Sequence, residues 1–293
     1  MAKQAAAAGP YKKKSQGREI WRRLKKNKIA MVGLFIFIVI LLCTIFADLI
    51  VPYEYSLEQN METRYAPPSA EHWFGCDNYG RDIFARVIHG TRNSLVMGIG
   101  AMLVGIMLGG FLGSITGYFG GKIDTVIMRI LDVLNTIPFM LLALAIAAAL
   151  GASLVNVLIA LMICMVPYYT RVIRSSILNV IGQDFIEAGK ACGTPNRYII
   201  LKHVLPNAIG PVIVQATMSV GTMILSASAM SFLGMGIQPP APEWGSMLNE
   251  GKDYMLFAPH MVIFAGLAIV FTALSVNLMG DGLRDALDPR LKD

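Results

Sequence analysis

Six apolar runs limit what this chain can fold into. They cover residues 29–51, 95–118, a third run ending near Leu150, then 154–169, 208–233 and 259–278. The hydrocarbon core of a bilayer is about 30 Å thick, so a helix that crosses it needs roughly 20 apolar residues. Lipid offers the backbone no hydrogen bonds, so such runs must satisfy their own peptide groups, as helices do. The alternation over about ten residues that marks a barrel strand is absent. Charged residues make up 15% of the chain, against about 25% in soluble domains, and the deficit falls in these runs. The expected fold is an all-α polytopic membrane protein with six transmembrane helices. The second run is rich in glycine, including a Gly109–Gly113 pair of the kind that lets membrane helices approach closely. The third opens with an amphipathic helix, Asp124 to Asn135. Its expected apolar stripe is Ile123, Ile127, Ile130, Leu131 and Leu134, and Pro138 predicts a kink.

Three regions follow: a basic segment (1–28), a membrane domain (29–279) and a charged tail (280–293). Six crossings put both ends on one side. Ten Lys and Arg lie in residues 1–28, two between the second and third spans, five in 170–207 and three in the tail; five lie in the remaining connections. The positive-inside rule makes this arrangement N-in, C-in. The basic segment abuts the first span, so it reads as a cytoplasmic anchor with Trp21 at the interface, not as an arm for nucleic acid. The first run is long for the core of a cleavable signal, and Asp48 follows where small residues would flag cleavage.

Between the fourth and fifth runs lies a polar stretch, 170–207, with the grammar of helix, stop, helix. Asp184 and Glu187 have capping-box spacing. Phe185, Ala188, Gly189 and Cys192 fall on one helical face, which is mostly small and lets another surface come close. Gly193 suits the left-handed residue that ends a helix. Thr194-Pro195 reads as the cap and first residue of the next helix, which Pro206 would limit.

Little else in the chain suggests chemistry. Cys43, Cys76, Cys164 and Cys192 lack disulfide or zinc spacing. His72, His89, His203 and His260 are scattered without metal spacing, and His203 reads as a packing or capping residue. Gly120-Gly121-Lys122 resembles a phosphate loop but lacks the upstream Gly and the following Ser or Thr, so it reads as a tight turn. Asp77, Arg81 and Asp82 read as ion pairs that fold an exposed loop. No catalytic or metal-binding residue and no cofactor is expected. Gln215, Thr217 and Ser219, in the fifth run, either line a translocation path or join helices; both readings stand.

The polar stretch carries a further pattern. Gly193 follows Glu187-Ala188 by six residues from Glu187, and Leu205-Pro206 comes after it. This resembles the Glu-Ala-Ala loop of ABC-importer permeases, with Gly189 in place of the second Ala and His203 in place of an Ile. His203 with Leu205-Pro206-Asn207 is similar to the dipeptide/oligopeptide branch of that family. So are His72 to Asp82 (with Cys76 where Thr is usual), Gly117 to Gly121, Gly234-Met235-Gly236 with Glu243-Trp244-Gly245, and Gly280 to Pro289. The resemblance implies a non-enzymatic permease subunit in the cytoplasmic (inner) membrane that passes short peptides or similar small solutes. The implied partners are a second, homologous permease as a heterodimer, two ABC ATPase subunits and an extracytoplasmic solute-binding protein. The implied ATPase-coupling residues are Asp184, Phe185, Glu187, Ala188, Gly189, Gly193, His203 and Pro206. The alternative is a self-sufficient secondary carrier or channel, but no ionisable residue stands mid-span for ion coupling.

Overall fold

The computed structural model of the chain describes residues 16–287. The Lys12-Lys13-Lys14 run and Asp288-Pro289 lie outside the described residues. In chain order the helices are α1 (Gln16–Leu24), α2 (Lys28–Ile45), α3 (Ile83–Phe119), α4 (Gly121–Asn135), α5 (Phe139–Leu150), α6 (Leu154–Ile181), α7 (Asp184–Ala191), α8 (Asn196–Phe232), α9 (Trp244–Gly251) and α10 (His260–Leu287). Among the described residues there is no strand beyond a single bridge between Cys76 and Asp82. Five helices, α2, α3, α6, α8 and α10, are long and apolar enough to cross a membrane.

The third crossing differs from expectation. α4 and α5 meet at 86°, a right-angle break where Pro138 predicted a kink. Pro138 starts α5 at φ −53°, ψ 133°, because a proline has no N–H to continue the helix before it. α5 has 12 residues and is about 18 Å long, less than a bilayer core. The stripe on α4 is also divided. Leu131 is buried, whereas Ile123 and Ile130 are exposed, as are Val126 and Val133. An apolar face need not be buried where the solvent is lipid.

The long helices also outrun their apolar runs. α3 starts at Ile83, and α6 continues through Pro167 to Ile181. The expected 170–207 loop therefore shrinks to residues 182–195. Pro206 does not limit a helix. A wide π turn, Ile199–Val204, leads into it, and Leu205 N–H bonds back to Ile200 O. That widening takes up the missing donor and the bulk of the ring, so one helix runs on to Phe232.

Glycine sets the helix packing. Gly105, Gly109, Gly113 and Gly117 line one face of α3 against α6. A Cβ at Gly109 would come within 2.6 Å of Tyr169 Cβ, and one at Gly113 within 2.8 Å of Thr170 O. The sequence pair is thus part of a four-glycine groove. α8 packs on α3 at Gly98, and α2 on α10 at Gly33. In lipid such close approach replaces the hydrophobic drive between helices.

At one end, residues 52–82 and 233–259 form an outer layer. Arg81 pairs with Asp77 at 2.6 Å and Glu250 at 2.8 Å, and Arg86 pairs with the same two carboxylates. Asp77, Arg81 and Arg86 are buried, so the expected exposed-loop pairing is an interior network. Asp82 instead caps α3, accepting from Ala85 N at 2.8 Å. Glu243 caps α9 and also accepts from Ser94 Oγ, while Trp244 Nε1 donates to Val87 O. The opposite end holds the start of α2, the end of α10 and α7; Asn27 donates to Asp285 there.

Candidate functional site

α7 is a short helix held by one side chain. Ile186 is 1% exposed and joins Ile199 and Val204 in the main core. Phe185, Glu187, Ala188 and Cys192 face outward, and Gly189 is half-buried. A Cβ at Gly189 would meet nothing within 4 Å, so the small face is open.

The start of α7 corrects one expectation. The cap position is Gln183, not Asp184, and no side chain caps the helix. Gln183 Nε2 turns back instead to Asn179 O at 3.4 Å. Asp184 and Glu187 sit in the first turn, where negative charge meets the positive end of the helix dipole. The stop behaves as expected. Gly193 has φ +74°, its N–H bonds to Lys190 O, and Thr194 N–H bonds to Gly189 O. Those two bonds are a Schellman motif. The next helix begins at Asn196 with Pro195 in the cap position, one residue later than Thr194-Pro195 predicted. His203 lies in the π turn, its ring 5.7 Å from that of Tyr198. Its backbone carbonyl accepts from Asn207 Nδ2 at 2.6 Å.

One contact ties α7 to α3, and a second, from the same ring, ties α3 to α8. Lys190 Nζ lies 5.5 Å from the centre of the Tyr118 ring, and Tyr118 Oη donates to Asn196 Oδ1 at 2.7 Å. The end of α3, α7 and the start of α8 therefore meet at one point.

A second feature lies between the helices. A cavity of about 640 Å³ is lined by Asn135, Tyr168, Gln215, Ser219, Thr222 and Asn277 among others. Gln215 and Ser219 face it. Thr217, two residues from Gln215 and so on another face, does not. Ser219 and Thr217 return their hydroxyls to carbonyls of their own helix, Gln215 O and Ile213 O, so neither joins helices by that proton. Sequence reasoning missed Asn135, Tyr168, Thr222 and Asn277. The spacing of Gln215, Ser219 and Thr222, at i, i+4 and i+7, is the signal that could have found Thr222.

Comparison with known proteins follows the same lines. The family profile described as "Binding-protein-dependent transport system inner membrane component" matches residues 90–293, and that of the N-terminal transmembrane domain of oligopeptide transport permease C matches residues 15–68. The chain is 48% identical over 282 residues to the dipeptide transport system permease protein DppC of Alkalihalophilus pseudofirmus, covering 96% of this chain and 92% of that one. It is 44% identical over 274 residues to the glutathione transport system permease protein GsiD of Escherichia coli, covering 94% and 90%. Among solved structures, a chain of the MetNI methionine ABC transporter in an inward-facing conformation matches with TM-score 0.57 at 19% identity, over 69% of this chain and 96% of that one. At that identity the likeness speaks for the fold. Residues 90–293 and the full-length relatives together settle the assignment: the chain belongs to the binding-protein-dependent transport system inner membrane components, as a permease subunit of an ABC importer.

Proposed function

We propose that this permease passes short peptides, or solutes of similar size, and that α7 is the piece through which partner ATPases drive it. The observation that carries the coupling reading is the geometry of α7. It is seated by Ile186, open on the side of Phe185, Ala188 and Gly189, and tied through Lys190 and Tyr118 to two spanning helices. A cleft in an ATPase can grip the open side, and movement of α7 as a rigid piece then tilts α3 and α8 between inward- and outward-open states. The positive-inside count supports placing α7 in the cytoplasm. The outer layer of residues 52–82 and 233–259 then faces a solute-binding protein.

The cavity beside Gln215 and Ser219 is half of the path in this reading, and a second, homologous permease supplies the other half. The substrate class rests on the dipeptide and glutathione relatives, since both solutes are small peptides. Asp184, Glu187, Gly193, His203 and Pro206 shape and position the grip; none is a catalytic group. The test is Glu187→Lys and Gly193→Asp in the assembled transporter. Both should insert and lose ATP-driven peptide uptake. Normal uptake by both, or uptake by the chain alone in vesicles without ATP, overturns the reading.

A further inference from the structure

We propose that a basic pocket where α1 meets the start of α2 and the end of α10 holds the phosphate of an anionic phospholipid headgroup. The pocket has a volume of about 310 Å³ and is lined by Arg22, Arg23, Lys26, Asn27, Asp285 and the backbone at Gly282. It lies at the ends of two spanning helices, and so at headgroup depth.

The pocket is built, not incidental. Ile20 and Leu24 of α1 pack on Ala30 and Ala286. A Cβ at Gly282 would reach within 2.1 Å of Ala30 Cβ and 3.1 Å of Leu24 Cδ1, so α1 sits close against both helices. Trp21 stays 45% exposed, with Lys25 Nζ 5.1 Å from its ring, as suits an indole at the membrane interface. The acids nearby are already engaged. Glu19 Oε1 accepts from Arg22 at 2.8 Å and from Arg23 at 3.5 Å, and Asp285 Oδ2 accepts from Asn27 Nδ2 at 3.3 Å. Three cations face two carboxylates, and Arg18, Lys25 and Lys28 add to the surplus. Guanidinium groups present paired donors that match phosphate oxygens. Anionic leaflets attract such groups, each Lys or Arg being worth about a fivefold gain in binding.

The full chain, with its native partners, is placed in phosphatidylcholine nanodiscs containing pyrene-labelled phosphatidylglycerol, and energy transfer from Trp21 is read as the difference between the chain and its Trp21→Phe variant. Trp73 and Trp244 lie at the other end of the molecule. Wild type should prefer phosphatidylglycerol to a labelled phosphatidylcholine. The triple variant Arg22→Gln, Arg23→Gln, Lys26→Gln should lose that preference about a hundredfold, and Arg22→Lys with Arg23→Lys, which keeps the charge but not the paired donors, should retain more of it than the triple variant and less than wild type. If the triple variant does not fold, the exposed Lys26→Gln alone should cost about fivefold. Equal transfer from both lipids, or an unchanged preference in the Gln variants, overturns the proposal. Displacement by soluble glycerol phosphate would assign the pocket to a free phosphate and also overturn it. Transport is not needed for this readout, so it stands or falls apart from the uptake reading.

Discussion

Tyr118 donates its hydroxyl proton to Asn196 Oδ1 across 2.7 Å, and that bond closes the gap between the last turn of α3 and the first turn of α8. Lys190 of α7 lies over the same ring. Tyr118→Phe keeps the ring beneath Lys190 and removes only the hydroxyl. A single hydrogen bond contributes about 1 kcal/mol net, so the variant should insert and assemble normally. The ATP consumed per solute imported should rise, because α7 then reaches α8 through one link fewer. An unchanged ratio of ATP to solute would take this bond out of the route.

Gly189 and Gly193 separate surface from backbone. A Cβ at Gly189 meets nothing within 4 Å, and the residue lies inside a helix. Gly189→Ala should therefore leave the purified chain as stable as wild type or more so, by up to about 1 kcal/mol. Gly189→Leu should also melt normally, but recover less ATPase on affinity purification if a partner seats against this face. Gly193 has equally open surroundings but φ +74°. Gly193→Ala should cost about 1–2 kcal/mol in melting measurements, with Gly193→Asn milder than Gly193→Val. Full ATPase recovery with Gly189→Leu would remove close seating from the coupling argument.

Hydropathy made the membrane crossings legible, and glycine chemistry made the stop at Gly193 legible. Helix ends were harder to read. α3 begins at Ile83 and α6 ends at Ile181 because a helix continues through polar turns that carry no hydropathy signal. Pro206 read as a limit because a sequence does not display a π turn upstream. The cap at Gln183 was one residue from the expected Asp184, since the same acids support the helix from its first turn. Composition groups Thr217 with Gln215 and Ser219; helical phase alone separates them.

Asp77 holds two guanidinium groups. One carboxylate oxygen accepts from Arg81 Nε and Arg86 Nη1, and the other from the backbone of Tyr79 and Arg81. Both arginines are 1% exposed. Asp77→Asn leaves them sharing Glu250 alone. Removing one partner of a buried pair costs about 3–5 kcal/mol, so this layer should loosen and residues 60–82 should become open to protease added to the purified protein. α7 lies at the other end, so ATPase recovery should persist. Protease resistance equal to wild type would show that Glu250 suffices.

Glu243 gives the outer layer a pH dependence. Burial raises its carboxyl above the ordinary 4.5, against hydrogen bonds from Gly245, Ser246 and Ser94 that lower it. A raised value means that the folded chain holds this proton more tightly than the unfolded chain. Its contribution to stability is therefore fully present below pH 4.5 and is lost as the pH rises through the folded value. Glu243→Gln keeps an oxygen to accept from the backbone of α9 and cannot ionise. The stability of wild type relative to this variant should fall as pH rises from 4.5, then level off once the buried carboxyl is ionised. Thermal unfolding of both chains in detergent, from pH 4.5 into mildly alkaline buffer, reads this directly. A constant difference across that range would mean that the three donors fully offset burial and that the carboxylate is charged throughout.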